Sequence, residues 1–544
     1  MGYGRWKESA IETQIKNDLG AASSAMEVAR NSGDGYPADI STVTAFVASD
    51  TITVSGGSSN KKGYCIEAVS SQNTAVKFHI STIEGGGVQT GGCPVNAWSV
   101  PLNGYPLGTF STYALKSDGS LWAWGRNNSG QIGNGTNTNR LTPYQVLDSG
   151  VVEVVSRNDT SFARKTDGSV WAWGFGAYGA LGNNTTWSSN SPVKIINSGV
   201  VEITAGQYVS YARKTDGSLW AWGVNSSGSI GNGTTTNQLT PVQVASNVKS
   251  AKATSASSAY AIKTDGSLWA WGMNSRGQIG NGSTANVLSP TQIISSGVKE
   301  INAKNGTVYA YKTDGSLWAW GGNSSGSIGN GTVTDQNTPY QVISSGVSAF
   351  VADSYAVFVV KTDGSLWAWG YNGLSGFAGN GSTANQLTPV QIIASGVAEV
   401  YTGTNTYNGY VRKTDGSLWA WGGGGNGSVG NNSTVNQLTP VQVIASGVVK
   451  FVPGWATAYA VKTDGSLWSW GYNINGQIGN GATAHQLIPV QVISSGVTGV
   501  TPGSSNTATF ATKNDGTLWG WGLNMDGVIG NNSTANQLTP VLIP

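Results

Sequence analysis

The sequence predicts a mainly β protein: a β-propeller of nine repeats, closed as one nine-bladed ring, preceded by a small α+β domain. The stretch YAIKTDGSLWAWG at residues 260–272 is one of nine near-copies, and Gly is frequent (78 of 544 residues) while charged residues make up only 10%. A period of about 50 residues with repeated Gly and aromatic positions is typical of propellers. The Asp-Gly pairs begin at Asp118, Asp167, Asp216, Asp265, Asp314, Asp363, Asp415, Asp464 and Asp515.

Each repeat contains four short strands, as residues 248–293 illustrate. VKSAKA and SAYAIK alternate as strands, Asp265-Gly266 forms a hairpin turn, SLWAWG returns, and SPTQII follows a Gly- and Asn-rich loop. Because side chains alternate along a strand, Trp269 and Trp271 share one face. Stacking of carbohydrate on these tryptophans is one interpretation. Packing between blades is favoured, since every repeat carries the same pair.

The motifs SGVxxV, YAxKTDGSLWAWGxNxxGQIGNG and LTPVQV resemble the repeat of the regulator-of-chromosome-condensation propeller family, from about residue 98 to the end. The resemblance implies the fold and not the function, because that family includes a nucleotide-exchange factor and an inhibitor of β-lactamases. Its propellers commonly have seven blades, whereas this chain has nine units. We expect Val541 to Ile543 to complete the blade that begins near Val100.

Residues 1–97 are predicted to form the small α+β domain. Apolar residues repeat with helical spacing from about residue 5 to 31, and strands are expected at TITV (51–54), YCIEA (64–68) and AVKFHI (75–80). Cys65 and Cys93 are the two cysteines of the chain. Their even number suits one structural disulfide, and the alternative is two unrelated buried thiols.

The segments NSGDGYP, GYCIEAVSSQNTAVKFHIS and GGCP are similar to the globular part of bacterial type IV pilins and pseudopilins. In that resemblance Cys65 and Cys93 match the disulfide of many pilins. The apolar half of the pilin helix and its processing site have no counterpart before Gly2. We therefore interpret the chain as a truncated form of a longer prepilin, whose missing segment would be its only membrane contact.

The residues give little support for catalysis, a cofactor or a metal. His79 and His485 fall in different domains, the G-x-G-x-x-G within 422–430 precedes no helix, and each Asp-Gly aspartate stands alone. Glu153, Glu202, Glu300 and Glu399 occupy equivalent strand positions, which indicates a repeated structural feature and not an acid/base pair. The net charge of +2 is too small for binding to a phosphate backbone.

Function is therefore expected where the repeats differ. One variable set follows WAWG, and a second precedes the YAxK strand. Tyr, Trp, Arg and Asn on one rim have the composition of an interface, although neutral variation of loops is an alternative. The candidate binding residues are Arg126, Asn127, Arg157, Phe175, Tyr178, Tyr208, Arg276, Lys304, Tyr371, Leu374, Tyr407, Trp455 and Tyr472.

Together these features predict a minor, tip-located type IV pilin whose propeller acts as a non-catalytic adhesin. Its partners would be other pilin subunits, through the N-terminal helix, and an unknown protein or glycan at one propeller face. The expected location is the bacterial cell surface, after anchoring in the inner membrane. Two alternatives are a pseudopilin that binds cargo in a secretion or DNA-uptake system, and a polysaccharide-acting enzyme.

Overall fold

The computed structural model describes Ala22, Trp98, the strands between residues 52 and 103, and residues 110–544 except 207, 255–256, 354–355, 404–406 and 504–506. The described part of the chain contains ten four-stranded sheets, nine of which are the blades of the propeller. Within these residues no helix is long and apolar enough to cross a lipid bilayer.

The first sheet is antiparallel and its strands follow chain order: β1 (Ile52–Gly57), β2 (Cys65–Ser70), β3 (Lys77–Ser81) and β4 (Val88–Thr90). Strands β1 to β3 overlap the three expected strands, and β4 was not expected. Many small α+β domains contain such a sheet, so the pilin resemblance rests on the sequence.

Several predictions for residues 1–97 fall on parts of the chain that are not described. Ala22 is helical and buried, but the rest of the helix expected at residues 5–31 lies outside the described residues. Cys93 also lies outside them, so its disulfide with Cys65 stays a prediction. The side chain of His79 on β3 is likewise not described.

Each propeller blade is an antiparallel sheet of four consecutive strands. The first strands are β5 (Leu102–Asn103), β9 (Val151–Arg157), β13 (Val200–Ala205), β17 (Val248–Ala253), β21 (Val298–Lys304), β25 (Val347–Ala352), β29 (Val397–Thr402), β33 (Val448–Pro453) and β37 (Val497–Pro502). The second strands are β6 (Ser111–Leu115), β10 (Thr160–Lys165), β14 (Val209–Lys214), β18 (Ser258–Lys263), β22 (Thr307–Lys312), β26 (Ala356–Lys361), β30 (Asn408–Lys413), β34 (Thr457–Lys462) and β38 (Ala508–Lys513).

The third strands carry the repeated tryptophan pair: β7 (Leu121–Gly125), β11 (Val170–Gly174), β15 (Leu219–Gly223), β19 (Leu268–Gly272), β23 (Leu317–Gly321), β27 (Leu366–Gly370), β31 (Leu418–Gly422), β35 (Leu467–Gly471) and β39 (Leu518–Gly522). The fourth strands are β8 (Arg140–Leu147), β12 (Ser189–Ile196), β16 (Gln238–Ala245), β20 (Val287–Ile294), β24 (Gln336–Ile343), β28 (Gln386–Ile393), β32 (Gln437–Ile444), β36 (Gln486–Ile493) and β40 (Gln537–Leu542). Blades are numbered 1 to 9 in this order.

Two different faces result from this up-and-down order. The Asp-Gly turns join second to third strands, and the SGV segments, or SNV between blades 3 and 4, join each blade to the next at the same end. We call this the turn face. The loops between first and second strands and between third and fourth strands lie at the opposite end, which we call the loop face. Backbone hydrogen bonds join these two loops within a blade. In blade 8, for example, Tyr472 N donates to Ala456 O at 2.9 Å.

The second tryptophan of each third strand joins its blade to the preceding blade. Trp320 Nε1 donates to Gln278 O at 3.0 Å, and the same carbonyl accepts from Tyr260 Oη at 2.7 Å. All nine of these tryptophans are fully buried, as packing between blades requires. The donor and acceptor pairs are Trp124 and Val528, Trp173 and Gln131, Trp222 and Ala180, Trp271 and Ser229, Trp320 and Gln278, Trp369 and Ser327, Trp421 and Phe377, Trp470 and Ser428, and Trp521 and Gln477.

The ring closes between blade 9 and blade 1 by the same contacts that join all the other neighbouring blades. Trp124 Nε1 donates to Val528 O at 2.8 Å. Trp98 N donates to Gly516 O of blade 9 at 3.1 Å. At the boundary between blades 8 and 9, Val497 N donates in the same way to Gly465 O at 2.9 Å. Trp98 therefore occupies in blade 1 the position that valine holds in the SGV segments. The prediction of one nine-bladed ring is confirmed.

The prediction that Val541 to Ile543 complete the blade that begins near Val100 is wrong. Strand β40 pairs with β39 of its own blade, with Trp519 opposite Leu542, and Ile543 N donates to Leu518 O at 2.8 Å. Blade 1 instead has its own first strand, β5, which pairs with β6. Because each blade is one continuous segment, buried side chains close the ring without a shared strand.

Candidate binding face

The turn face consists of nine nearly identical hairpins, which explains the repeated motif. In the hairpin of blade 4, Asp265 Oδ1 accepts bonds from Ser267 N at 2.8 Å and Ser267 Oγ at 2.6 Å. Trp269 Nε1 donates to Ser267 Oγ at 2.9 Å, and Lys263 Nζ lies 3.9 Å from the centre of the indole ring. The hydrogen bonds from Ser267 lower the pKa of Asp265. The aspartate therefore fixes its own turn, as the sequence indicated.

The first tryptophan of each pair is only half-buried, which differs from the prediction that both pack in the core. Lys413 Nζ lies 4.3 Å from the ring centre of Trp419. Both residues line a groove of about 460 Å³ on the outer wall between blades 6 and 7, together with Gln391 and Pro440. Equivalent Lys–Trp contacts occur in all nine blades, so they belong to the repeated architecture.

A buried asparagine fixes the loop after the third strand in seven of the nine blades. Asn127 is fully buried; its Nδ2 donates to Thr136 O at 2.9 Å and Thr138 O at 3.0 Å, and its Oδ1 accepts from Ile132 N at 2.8 Å. Asn127 is therefore a structural residue and not the exposed binding residue that was predicted. The equivalent residues are Asn225, Asn274, Asn323, Asn372, Asn473 and Asn524.

The predicted basic residues lie on the loop face of blades 1 to 5. Arg276 is exposed and extends over Gly322 of the next blade. Lys304 Nζ contacts Asp353 Oδ1 of blade 6 at 2.7 Å. Arg157 donates to Ala205 O at 3.2 Å, and burial lowers the pKa of its guanidinium.

Arg126, the remaining predicted arginine, is half-buried. Burial of the neighbouring Asp159 raises the pKa of its carboxyl group, and the positive charge of Arg126 lowers it. The effect of burial is larger, so the pKa of Asp159 is raised. Several of these basic groups thus already have partners within the ring.

The two variable sets contact each other across the boundary between blades 2 and 3. Phe175 and Tyr178, which follow the third strand of blade 2, pack against Tyr208 in blade 3, with ring centres 6.1 and 5.9 Å apart. Tyr178 is 54% exposed and has a positive φ of 61°. This conformation is uncommon for a bulky residue and costs about 1–3 kcal/mol.

A second aromatic group lies on the loop face of blades 6 to 8. Tyr371 of blade 6 and Tyr407 of blade 7 have ring centres 5.6 Å apart, and Trp455 and Tyr472 of blade 8 lie 5.9 Å apart. Leu374, which also belongs to the predicted set, is 86% exposed. The structure thus brings all the predicted binding residues to one face, and all except Asn127 retain some exposure.

Two exposed residues of this face, Trp187 and Val435, were missed by the sequence reasoning. They are 78% and 72% exposed, and they occupy a loop position where the other blades have Thr or Ala. In these two blades the buried asparagine is replaced by Gly176 and Gly424. A Cβ at those glycines would lie 2.0 and 2.2 Å from the carbonyl oxygens of Trp187 and Val435, so the loop backbone fills the vacated space. The replacement of asparagine by glycine in these two blades could have been recognised in the sequence.

Three of the four glutamates considered for catalysis, and His485, have partners within the propeller. Arg164, Arg213 and Arg412 form ion pairs of 2.8–2.9 Å with Glu153, Glu202 and Glu399 respectively. His485 Nδ1 accepts from Asn473 N at 3.1 Å, where most blades use an asparagine oxygen. In the described part of the chain, no three His, Cys, Asp or Glu side chains group as metal ligands would.

The chain is thus a repeat propeller with one constant face and one variable face. Residues 106–351 match the RCC1-like domain family, and residues 415–458, 464–509 and 515–544 match the regulator of chromosome condensation (RCC1) repeat. The propeller is therefore built from RCC1-like repeats. No curated protein sequence matches the chain significantly.

Two solved structures are similar to part of the chain. Human WBSCR16 shares 18% identity, with a TM-score of 0.42, over 61% of this chain and 96% of that one. Yeast RCC1 (Prp20), in a structure with Kap60, shares 15% identity, with a TM-score of 0.43, over 64% of this chain and 90% of that one. These likenesses carry no inference about function.

Proposed function

We propose that this chain is a non-catalytic binding protein whose loop face recognises a partner protein. The observation that carries the proposal is the contrast between the two faces. The turn face repeats one hairpin nine times, whereas the loop face brings together the residues in which the blades differ. Loops held on a rigid scaffold are common sites of recognition, and exposed aromatic residues contribute strongly to binding.

Pull-down of partner proteins by the immobilised full chain tests this proposal, and a glycan array probed with the same chain tests the alternative of a glycan ligand. One variant carries Tyr178→Ser and Leu374→Ser on the loop face. Its matched control carries Asp265→Asn and Asp363→Asn on the turn face. We expect the first variant to lose captured partners and the second to keep them. Capture that is unchanged by the loop substitutions would contradict the proposal.

We further propose that the propeller is displayed as an adhesin on a minor, tip-located type IV pilin. The similarity of residues 1–97 to pilins supports this role, and the sheet β1–β4 suits such a domain. A nine-bladed ring is also bulky for every subunit of a packed filament. A pseudopilin that binds cargo remains the alternative, since the same residues support it.

Immunogold labelling of filaments sheared from the source cells distinguishes these roles. An antibody against the propeller should label filaments sparsely and at their ends if the chain is a minor tip pilin. Absence of label from the filament fraction, with the chain retained in the cell envelope, would contradict the pilus role.

A further inference from the structure

Exposed non-aromatic apolar side chains occur in the loop-face loops of five consecutive blades, from Val333 of blade 5 (54% exposed) to Met525 of blade 9 (50% exposed), and three of them lie in blades 6 to 8. Leu374 of blade 6, Val435 of blade 7 and Ile474 of blade 8 are 86%, 72% and 53% exposed. A tyrosine accompanies each of them, in the same loop in blades 6 and 8 and in the loop between the first and second strands in blade 7. We call the following group the apolar arc: Tyr371, Leu374, Tyr407, Val435, Tyr472 and Ile474.

The loops of the apolar arc are held by bonds between neighbouring blades. Asn436 Nδ2, next to Val435, donates to Leu374 O at 3.0 Å and so joins blade 7 to blade 6. Asn432 N donates to Leu487 O at 2.8 Å and joins blade 7 to blade 8. The exposed side chains therefore belong to one held surface and not to three independent loops.

The architecture does not require apolar residues at these positions. Ile474 directly follows the buried asparagine of its loop, and the equivalent residues in blades 3, 4 and 5 are the exposed serines Ser226, Ser275 and Ser324. Thr334 of blade 5 corresponds in the same way to Val435. Other blades have serine at the first of these positions and threonine at the second, so the repeated loop does not in itself require an apolar side chain there.

The arc also lacks charge. The loops 371–385, 402–408, 423–436, 453–457 and 472–485 contain no Asp, Glu, Lys or Arg. The boundary lies at Lys304 and Asp353, whose ion pair joins blade 5 to blade 6. Loops of blades 1, 2, 4 and 5 do carry charges, and so does the loop of blade 9 through Asp526. The loop face thus has a charged side and an uncharged, apolar side.

We infer that the apolar arc binds a protein partner through an uncharged, apolar segment of that partner, an inference that rests on the proposed binding function. Depletion of charge with enrichment of aromatic residues marks the centre of protein interfaces. Tyr with Ser, Gly and Asn is also the composition of antibody binding loops, in which rigid aromatic rings supply contact area and small polar residues supply hydrogen bonds. Exposed Leu, Val and Ile favour a protein over a neutral glycan, because aliphatic side chains offer sugars no aromatic platform.

Selection from a phage-displayed random peptide library against the full chain tests the inference. Selected peptides are titrated against the wild-type chain and against a variant carrying Leu374→Ser, Val435→Thr and Ile474→Ser. The matched control carries Ser226→Ala, Ser275→Ala and Ser324→Ala on blades 3 to 5. We expect apolar peptides whose affinity falls about 100-fold or more in the first variant and stays unchanged in the control. Melting temperatures of both variants verify folding, and exposed substitutions should hardly change them.

The salt dependence gives an independent readout. Binding at the arc should be insensitive to NaCl between about 0.05 and 0.5 M, because no charges are there to be screened. Peptides that compete at blades 1 to 5 and lose affinity with salt would overturn the assignment to the arc and leave loop-face binding intact. Peptides selected only on the turn face would overturn both. Binding of neutral oligosaccharides, with no peptide enriched, would overturn the assignment of a protein partner.

Discussion

Replacement of Trp320 by Phe tests the contact that joins one blade to the next. The indole Nε1 donates to Gln278 O at 3.0 Å inside a fully buried site. Loss of this bond should cost about 1 kcal/mol of the free energy of unfolding. The smaller ring leaves unfilled space beside Gly280 and should cost a further 1–2 kcal/mol, roughly. We therefore expect Trp320→Phe to destabilise the chain by about 2–3 kcal/mol.

Urea unfolding followed by near-UV circular dichroism measures this change, and two control variants sharpen it. Trp318→Phe removes the half-buried tryptophan of the same strand and should cost about 1 kcal/mol or less. Tyr260→Phe should also cost about 1 kcal/mol, because Gln278 O keeps its bond from Trp320 and blades 2, 6 and 9 have Phe here. If Trp320→Phe were no more destabilising than Trp318→Phe, the buried tryptophans would not hold the blades together.

Three further predictions concern the ring and its turns. Gly280→Ala should destabilise more than Gly282→Ala by about 1–3 kcal/mol in urea unfolding, because both have positive φ but only the added Cβ at Gly280 would meet Trp320, at 2.7 Å; equal effects would contradict this packing. Trp98→Ala should lower the melting temperature and accelerate proteolysis at the blade 9–blade 1 boundary, since ring closure depends on buried contacts; uniform proteolysis of all blades would contradict the proposed closure. The Ser267 hydrogen bonds lower the pKa of Asp265 in the folded chain. Their contribution to stability is therefore present above the pKa of the unfolded chain, about 3.9, and is lost as the pH falls through the pKa of the folded chain. Acid titration of an Asp265→Asn variant should show a smaller loss of stability in this pH range than the wild type.

The repeated elements could be predicted from the sequence because each blade has to fit the next. Trp271 and the Asp265-Gly266 turn recur in near-identical surroundings, so one pattern defines all the blades. Closure could not be predicted in the same way. Trp98 replaces the valine of the other SGV segments, so the local sequence does not show that it makes the same contacts as that valine.

The binding face was predicted in outline and not in detail. In an up-and-down sheet of four strands, the loop between strands 1 and 2 and the loop between strands 3 and 4 lie at the same end. The location of Phe175 and Tyr208 on one face therefore follows from strand order. Asn127 was misjudged because it lies between variable residues, although its recurrence in seven blades marks it as structural. The exposure of Val435 depends on how the loop backbone moves into the space left at Gly424, which strand patterns do not reveal.

Exchange of the loops tests most directly whether the repeated hairpins form a scaffold and the variable loops form the site. Loops 371–385, 423–436 and 472–485 would each be replaced by residues 273–286 of blade 4, which connect the same two strands in their own blade. We predict that the exchanged chain keeps its melting temperature within a few degrees and loses the peptides selected on the wild type. Retained peptide binding by the folded, exchanged chain would contradict the account, and so would failure of that chain to fold.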